Sequence, residues 1–199
     1  MKKSHIAGIV IVVILLLVAG ALMSGKKYTP TGKYLDKTFK GGADAKVVVV
    51  KYSDFQCPAC RAASGISGAL VEKYGDKVKF IYKNFPLRST HPQAQKAAEA
   101  AECVKDLGGD YWRYHNLLFE NQNALYPANL EQYASQIGVD IDACLDSGAM
   151  GGIVESDYQE GVQKGVRATP TFFINSERVQ GANQQAVFNA VDKELKKAA

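Results

Sequence analysis

The apolar run Val47 to Val50 leads within a few residues into Cys57-Pro58-Ala59-Cys60, which places a pair of thiols on a turn from strand into helix. That order constrains the fold more than any other feature of the chain. Two cysteines three apart at a helix start can close a small disulfide ring, with the first at the positive end of the helix dipole. Dipole and unpaired N–H groups favour a thiolate there, so Cys57 reads as a nucleophile and Cys60 as its resolving thiol. A fall in the Cys57 pKa to about 4.5 would favour the dithiol at pH 7 by roughly 3 kcal/mol, on the order of 70 mV. Pro58 suits the first helical position, where its missing N–H costs nothing. The same spacing also serves half of a zinc site or a buried structural pair, so the motif alone leaves these open.

A second signal is Thr169-Pro170-Thr171-Phe172-Phe173-Ile174, where a proline opens a β-rich run. A strand start accepts proline and a central strand position does not. From the residues alone this is an ordinary proline at a strand edge. The order of elements adds a third signal: strand, dithiol helix and strand, then a helical stretch, the proline strand, a hairpin and a last helix.

Together these features resemble the thioredoxin superfamily, and within it the DsbA-like thiol oxidoreductases that carry a helical insertion. The matching residues run from Gly42-Ala43-Asp44-Ala45 through Val47-Val50 and Tyr52-Ser53-Asp54-Phe55-Gln56 to the dithiol. They continue with Asn84-Phe85-Pro86-Leu87, His91-Pro92, Ala97 to Cys103, Leu118 to Gln122 and Thr169 to Phe173. The resemblance implies an α/β thioredoxin fold with an inserted helical subdomain. It also implies a cis Pro170 facing the dithiol, with Thr169 offering its backbone to a substrate strand. The implied activity introduces disulfides into exported polypeptides, with no cofactor and no metal. Its partners would be unfolded or reduced exported proteins and, for reoxidation, a membrane quinone-linked thiol oxidase. A reductase or isomerase is the alternative within the class. A tethered chaperone or metal-binding module holding Cu(I) is the alternative outside it.

One residue departs from the pattern. Such proteins often bury an acidic side chain beneath the dithiol, at the position of Lys51 here. Beneath Cys60 a lysine would stabilise a thiolate, whereas a carboxylate would carry a proton. Near a sheet edge Lys51 would instead be a snorkelling surface lysine. Asp54 is a substitute proton carrier or, more simply, a turn residue satisfying nearby N–H groups.

The N-terminus begins Met1-Lys2-Lys3-Ser4-His5 and is almost unbroken in apolar residues from Ile6 to Met23. This is an export or anchoring signal, and it expects an extracytoplasmic domain. Ala19-Gly20-Ala21 has the form of a cleavage site, while the length of the run reaches the lower limit for a membrane span. Residues 1–23 are therefore read as a signal anchor or signal peptide, and 24–45 as a tether. Residues 46–90 and 166–199 are read as the thioredoxin-like domain, and 91–165 as the insertion. A formal net charge of +4, with lysines spread among acidic residues, offers no nucleic-acid patch.

Hydrophobic periodicity predicts strands at Val47 to Tyr52 and Val78 to Tyr82, and a helix from Pro58 to Tyr74. Further helices are expected from Pro92 to Gly108, Tyr111 to Asn121, Leu130 to Ile137, Ile153 to Lys164 and Gln184 to Lys197. A hairpin is expected across Asn175-Ser176-Glu177. Cys103 and Cys144 fall in the insertion, either as a structural disulfide stabilising by roughly 3 to 4 kcal/mol or as buried free thiols. Tyr111, Trp112, Tyr114 and Phe119 read as insertion core, His91 as a residue near a helix start or the active-site rim, and Phe55 as part of an apolar surface for substrate.

Overall fold

The computed structural model describes residues 28–32 and 38–198, and its first strand is β1 (Phe39–Gly41). The sequence reading places this stretch in the tether, since three residues carry no alternation to read. It becomes a strand by pairing antiparallel with a neighbour at Ile81, Phe80 and Lys79. Two glycines allow that approach: a Cβ on Gly41 would lie 2.1 Å from the Val78 carbonyl oxygen, and one on Gly42 2.2 Å from that of Asp76. The short segment before it also folds back, with Tyr28 and Thr31 hydrogen-bonding the Asp106 carboxylate. The apolar run Ile6 to Met23 lies outside the described residues. Among those described, no helix is long and apolar enough to cross a membrane.

Strand β2 (Val47–Ser53) is followed by α1 (Pro58–Ala62), α2 (Ile66–Tyr74), a 3-10 turn (Gly75–Lys77) and β3 (Val78–Asn84). β2 and β3 pair in parallel, from Val47 opposite Val78 to Ser53 opposite Asn84. The helices α3 (Ala94–Asp106), α4 (Tyr111–Glu120), α5 (Pro127–Ser135), α6 (Asp142–Ser147) and α7 (Gly151–Gln163) come next. The chain closes with β4 (Thr171–Ile174), β5 (Glu177–Gln180) and α8 (Gln184–Ala198). The sheet order is β1-β3-β2-β4-β5, with β4 antiparallel to both neighbours.

Alternation along β2 assigns its side chains to two layers. Val47 and Val49 face the larger core with Ile66 and Leu70 of α2, Leu118 and Phe119 of α4, and Val187 and Val191 of α8. Each such buried side chain stabilises by roughly 1.5–3 kcal/mol. Tyr52 faces the other way, with Phe85 and Val166, and Val50, Phe173 and Tyr158 pack around them. α7 covers this second layer closely, since a Cβ on Gly161 would lie 2.6 Å from the Phe85 ring and 2.9 Å from that of Tyr52. Lys83 reaches Asp157 at 2.6 Å and Tyr52 donates to Glu160 at 2.7 Å, fixing α7 against β2 and β3.

Three local differences from the sequence reading have physical causes. The expected helix from Pro58 to Tyr74 is broken at Ala63-Ser64-Gly65. The Ala63 carbonyl there accepts from Lys51 Nζ at 3.2 Å and from the Ile66 N–H at 3.3 Å, so it leaves the regular helical ladder where serine and glycine are weak helix formers. The hairpin turn is the two residues Asn175-Ser176, because Asn175 takes a left-handed φ of 51° and Glu177 already pairs with Ile174. α6 was not expected, being only six residues long and ended by Gly148 in the left-handed region.

Candidate active site

The chain leaving β2 is gathered by a buried carboxylate. Asp54 accepts from the N–H groups of Gln56 at 2.6 Å and Leu87 at 2.8 Å, and its Oδ2 lies 2.8 Å from His91 Nδ1. Of the two readings for Asp54, this is the work of a turn residue. Its carbonyl accepts from the Cys57 N–H, and Cys57 becomes the N-cap of α1 with Pro58 following it. The glutamine side chains of Gln56 and Gln93 brace the turn from outside, the Gln93 N–H donating to Gln56 Oε1 at 2.8 Å.

Gln122, just beyond α4, completes the frame. Its Nε2 donates to the carbonyls of Phe55 at 2.7 Å and Cys57 at 2.9 Å. The sequence reading attached no role to it. Nothing local marks a glutamine 65 residues beyond Cys57 as the clamp of its turn, and only the tertiary contact of α4 with the turn, Phe119 against Phe55, brings it there.

Cys57 and Cys60 are both free thiols, the first 7% exposed and the second fully enclosed. The Cys60 thiol donating to Cys57 is the largest influence on the Cys57 pKa. With help from Thr169 and the N–H groups of Cys60 and Ala59, it outweighs burial and brings Cys57 down to about 5. Burial, and then the neighbouring sulfur, push Cys60 far upward. The Asp54 N–H approaches Cys60 Sγ at 3.4 Å. The pair is thus asymmetric: a nearly buried sulfur that ionises readily beside a fully enclosed one that holds its proton.

The Thr169–Pro170 peptide bond is cis. It presents the Thr169 carbonyl 3.5 Å from Cys57 Sγ, while Thr171 Oγ1 donates to the Ala168 carbonyl at 2.7 Å. Residues more than a hundred positions apart therefore meet at the sulfur. A cleft beside the dithiol is lined by Gln56, Pro58, His91, Gln93 and the exposed Tyr126.

Lys51 is not a surface lysine. It is 1% exposed on the central strand, with its Nζ bonded to the Ala63 carbonyl and lying 5.3 to 5.9 Å from the ring centres of Phe119, Tyr82 and Phe172. Phe55 is also enclosed rather than part of a substrate surface, stacked 5.2 Å from Tyr82 and tilted against Phe119 at 5.0 Å. His115, buried among the same rings, has its pKa lowered to about 3 by burial and then by the Lys51 charge. Tyr111, Tyr114 and Phe119 are buried in the core, with Trp112 packed against it. Cys103 and Cys144 form a disulfide joining α3 to α6, with Cα atoms 5.9 Å apart. Among the described residues, no three His, Cys, Asp or Glu side chains are grouped to hold a metal ion.

Comparison with known proteins agrees with this architecture. Residues 35–193 match the family described as Thioredoxin. The structure of BdbD from Bacillus subtilis superposes with a TM-score of 0.72 at 26% identity, covering 85% of this chain and 97% of that one. A thioredoxin-like oxidoreductase from Silicibacter pomeroyi gives 0.72 at 22% identity, covering 86% and 100%. The thiol-disulfide exchange protein alpha-DsbA2 from Wolbachia pipientis gives 0.68 at 20%, covering 81% and 90%. In sequence, the chain is 36% identical over 156 residues to a Na(+)/H(+) antiporter NhaA 3 of Salinispora tropica, a match taking in 76% of this chain. The chain spans about a quarter of the length of the curated relatives it matches, 24% in that case. A family match of this length, joined to a relative of the same fold at 26% identity, makes the chain a DsbA-like thiol-disulfide oxidoreductase of the thioredoxin superfamily.

Proposed function

We propose that this protein introduces disulfides into exported polypeptides through Cys57 and Cys60. The observation that carries the reading is the asymmetry of the pair: a Cys57 sulfur with pKa about 5 beside an enclosed Cys60. A stabilised thiolate favours the dithiol, and a disulfide whose reduced form is stabilised is an oxidant. A substrate thiolate attacks Cys57 of the oxidised pair, forming a substrate–Cys57 disulfide and expelling the Cys60 sulfur. The substrate's second thiolate then attacks its own sulfur in that bond, releasing oxidised substrate and the Cys57 thiolate. Thr169, held against Cys57 by the cis Pro170, supplies backbone groups for the incoming chain, and Asp54 and Gln122 hold the turn. Reoxidation falls to a membrane thiol oxidase, with the charged start and apolar run of residues 1–23 anchoring the catalytic domain outside the cytoplasm.

The test is the reduction potential of the full-length chain in graded glutathione buffers. A value near about −120 mV is expected, and one near about −270 mV would make the protein a reductase and reverse the direction. Cys60→Ser is expected to trap substrate on Cys57, and recovery of no mixed disulfide would remove Cys57 as the attacked sulfur.

A further inference from the structure

A lysine on the central strand of a sheet, sealed from water, needs a partner for its charge. An isolated ammonium in a low-dielectric site is costly, and such groups are paired or lose their proton. Among the described residues, Lys51 forms no ion pair with a carboxylate. Its Nζ donates to the Ala63 carbonyl at 3.2 Å. The sheet register sets Lys51 between Tyr82 of β3 and Phe172 of β4, and Phe119 of α4 closes the site from the helical side. The start of α1 shares this core, where Cys60 is buried with Tyr82, Phe119 and Phe172, and the Cys60 and Cys57 sulfurs are the groups that favour a charge on Lys51.

We propose that Lys51 carries a proton while the dithiol is reduced and sheds it when Cys57 and Cys60 join, its ammonium being the buried counter-charge of the Cys57 thiolate. The proposal rests on Cys57 and Cys60 being the redox pair. The reduced site holds a Cys57 thiolate, a Cys60 thiol and a Lys51 ammonium. Oxidation forms the S–S bond, breaks the Cys60 S–H bond and one Lys51 N–H bond, and yields two protons and two electrons. The electrons pass to a disulfide of the reacting partner, whose S–S bond breaks to give two thiols. Net charge at the site is zero before and after.

The other groups facing Lys51 do not take up this role. Tyr82 is pushed well above the ordinary tyrosine range by burial, and His115 is held down to about 3, so both stay neutral between pH 5 and 8. The Asp54 carboxylate is occupied by Gln56, Leu87 and His91. With both thiols free, burial lowers the Lys51 pKa to about 8 while Cys60 and then Cys57 draw it upward. Oxidation removes the Cys57 thiolate charge and leaves a carbonyl and three ring faces, so the amine becomes neutral at pH values where the reduced site holds an ammonium.

The experiment is the equilibrium of the full-length chain with glutathione from pH 5.5 to 8, with the dithiol fraction counted by acid quench and alkylation. Glutathione itself takes up two protons per two electrons in this range, so each equilibrium is converted to the protein's own half-reaction; above about pH 5 Cys57 is already a thiolate, and the Cys60 proton alone then changes that half-reaction's constant tenfold per pH unit, about 30 mV. With Lys51 taking part, the wild-type slope rises toward a hundredfold per unit, about 59 mV, in the window below pH 8. Lys51→Met is expected to return to tenfold. A tenfold wild-type slope throughout would overturn the proposal without any substitution, so misfolding of the variant does not shelter it. An equally steep slope in Lys51→Met would move the second proton to another group and overturn it too. Absence of any thiol–disulfide equilibrium at Cys57 and Cys60 would remove the redox pair itself, a different result from a shallow slope.

Discussion

Replacing Cys60 with alanine removes the donor that most stabilises the Cys57 thiolate while leaving the other contacts of Cys57 in place. Cys57 titrates at about 5 instead of the ordinary 9.0 of a thiol. A lowered acid pKa favours the ionised form fully above pH 9, and progressively less down to pH 5, below which the advantage is gone. At pH 7 two of the four units remain in force, about 2.7 kcal/mol, or about 60 mV toward a more oxidising disulfide. A hydrogen bond to a charged group contributes about 1.5–3 kcal/mol, so Cys60→Ala should raise the Cys57 midpoint by about one to two units, to between about 6 and 7. The assay is the second-order rate of alkylation by iodoacetamide from pH 3 to 9, which follows the thiolate fraction. A wild-type midpoint near 8, or a midpoint in the variant still near 5, would refute the assignment of that stabilisation to the Cys60 thiol.

Two further expectations concern stability. Replacing both Cys103 and Cys144 by alanine opens a cross-link spanning a sequence separation of 41 and should cost about 4 kcal/mol, a fall of roughly 10 °C in Tm with the Cys57–Cys60 equilibrium preserved; an unchanged Tm would contradict it. His115 has a folded pKa of about 3 against 6.5 when unfolded, so the unfolded chain binds the extra proton and stability declines as pH falls from 6.5 toward 3. His115→Phe removes that dependence, and between pH 7 and 4 the wild type should lose about 3 kcal/mol more than the variant by urea unfolding, equal losses counting against the reading.

What could be read from the chain followed from short-range rules. Four consecutive valines, a CxxC pair with proline at the first helical position and a proline at a strand head each signal their local structure through sterics or the helix dipole. The core role of Tyr111, Tyr114 and Phe119 in α4 was legible from their aromatic clustering on one short helix. β1 escaped, since a three-residue edge strand exists only through its pairing with β3. The break between α1 and α2 escaped because its cause is a lysine twelve positions earlier.

The site divides along the same line. The sequence by itself determined that two thiols would stand at a helix start with one favoured as a thiolate, because dipole and spacing act within a single turn. Tertiary structure decided how far that thiolate is stabilised. It brought Thr169 to Cys57 from across the chain, enclosed Cys60, set Gln122 against the turn and sealed Lys51 among three rings. Desolvation and charge–charge coupling depend on distances through space, and those distances exist only once the sheet register and the helical layer are in place.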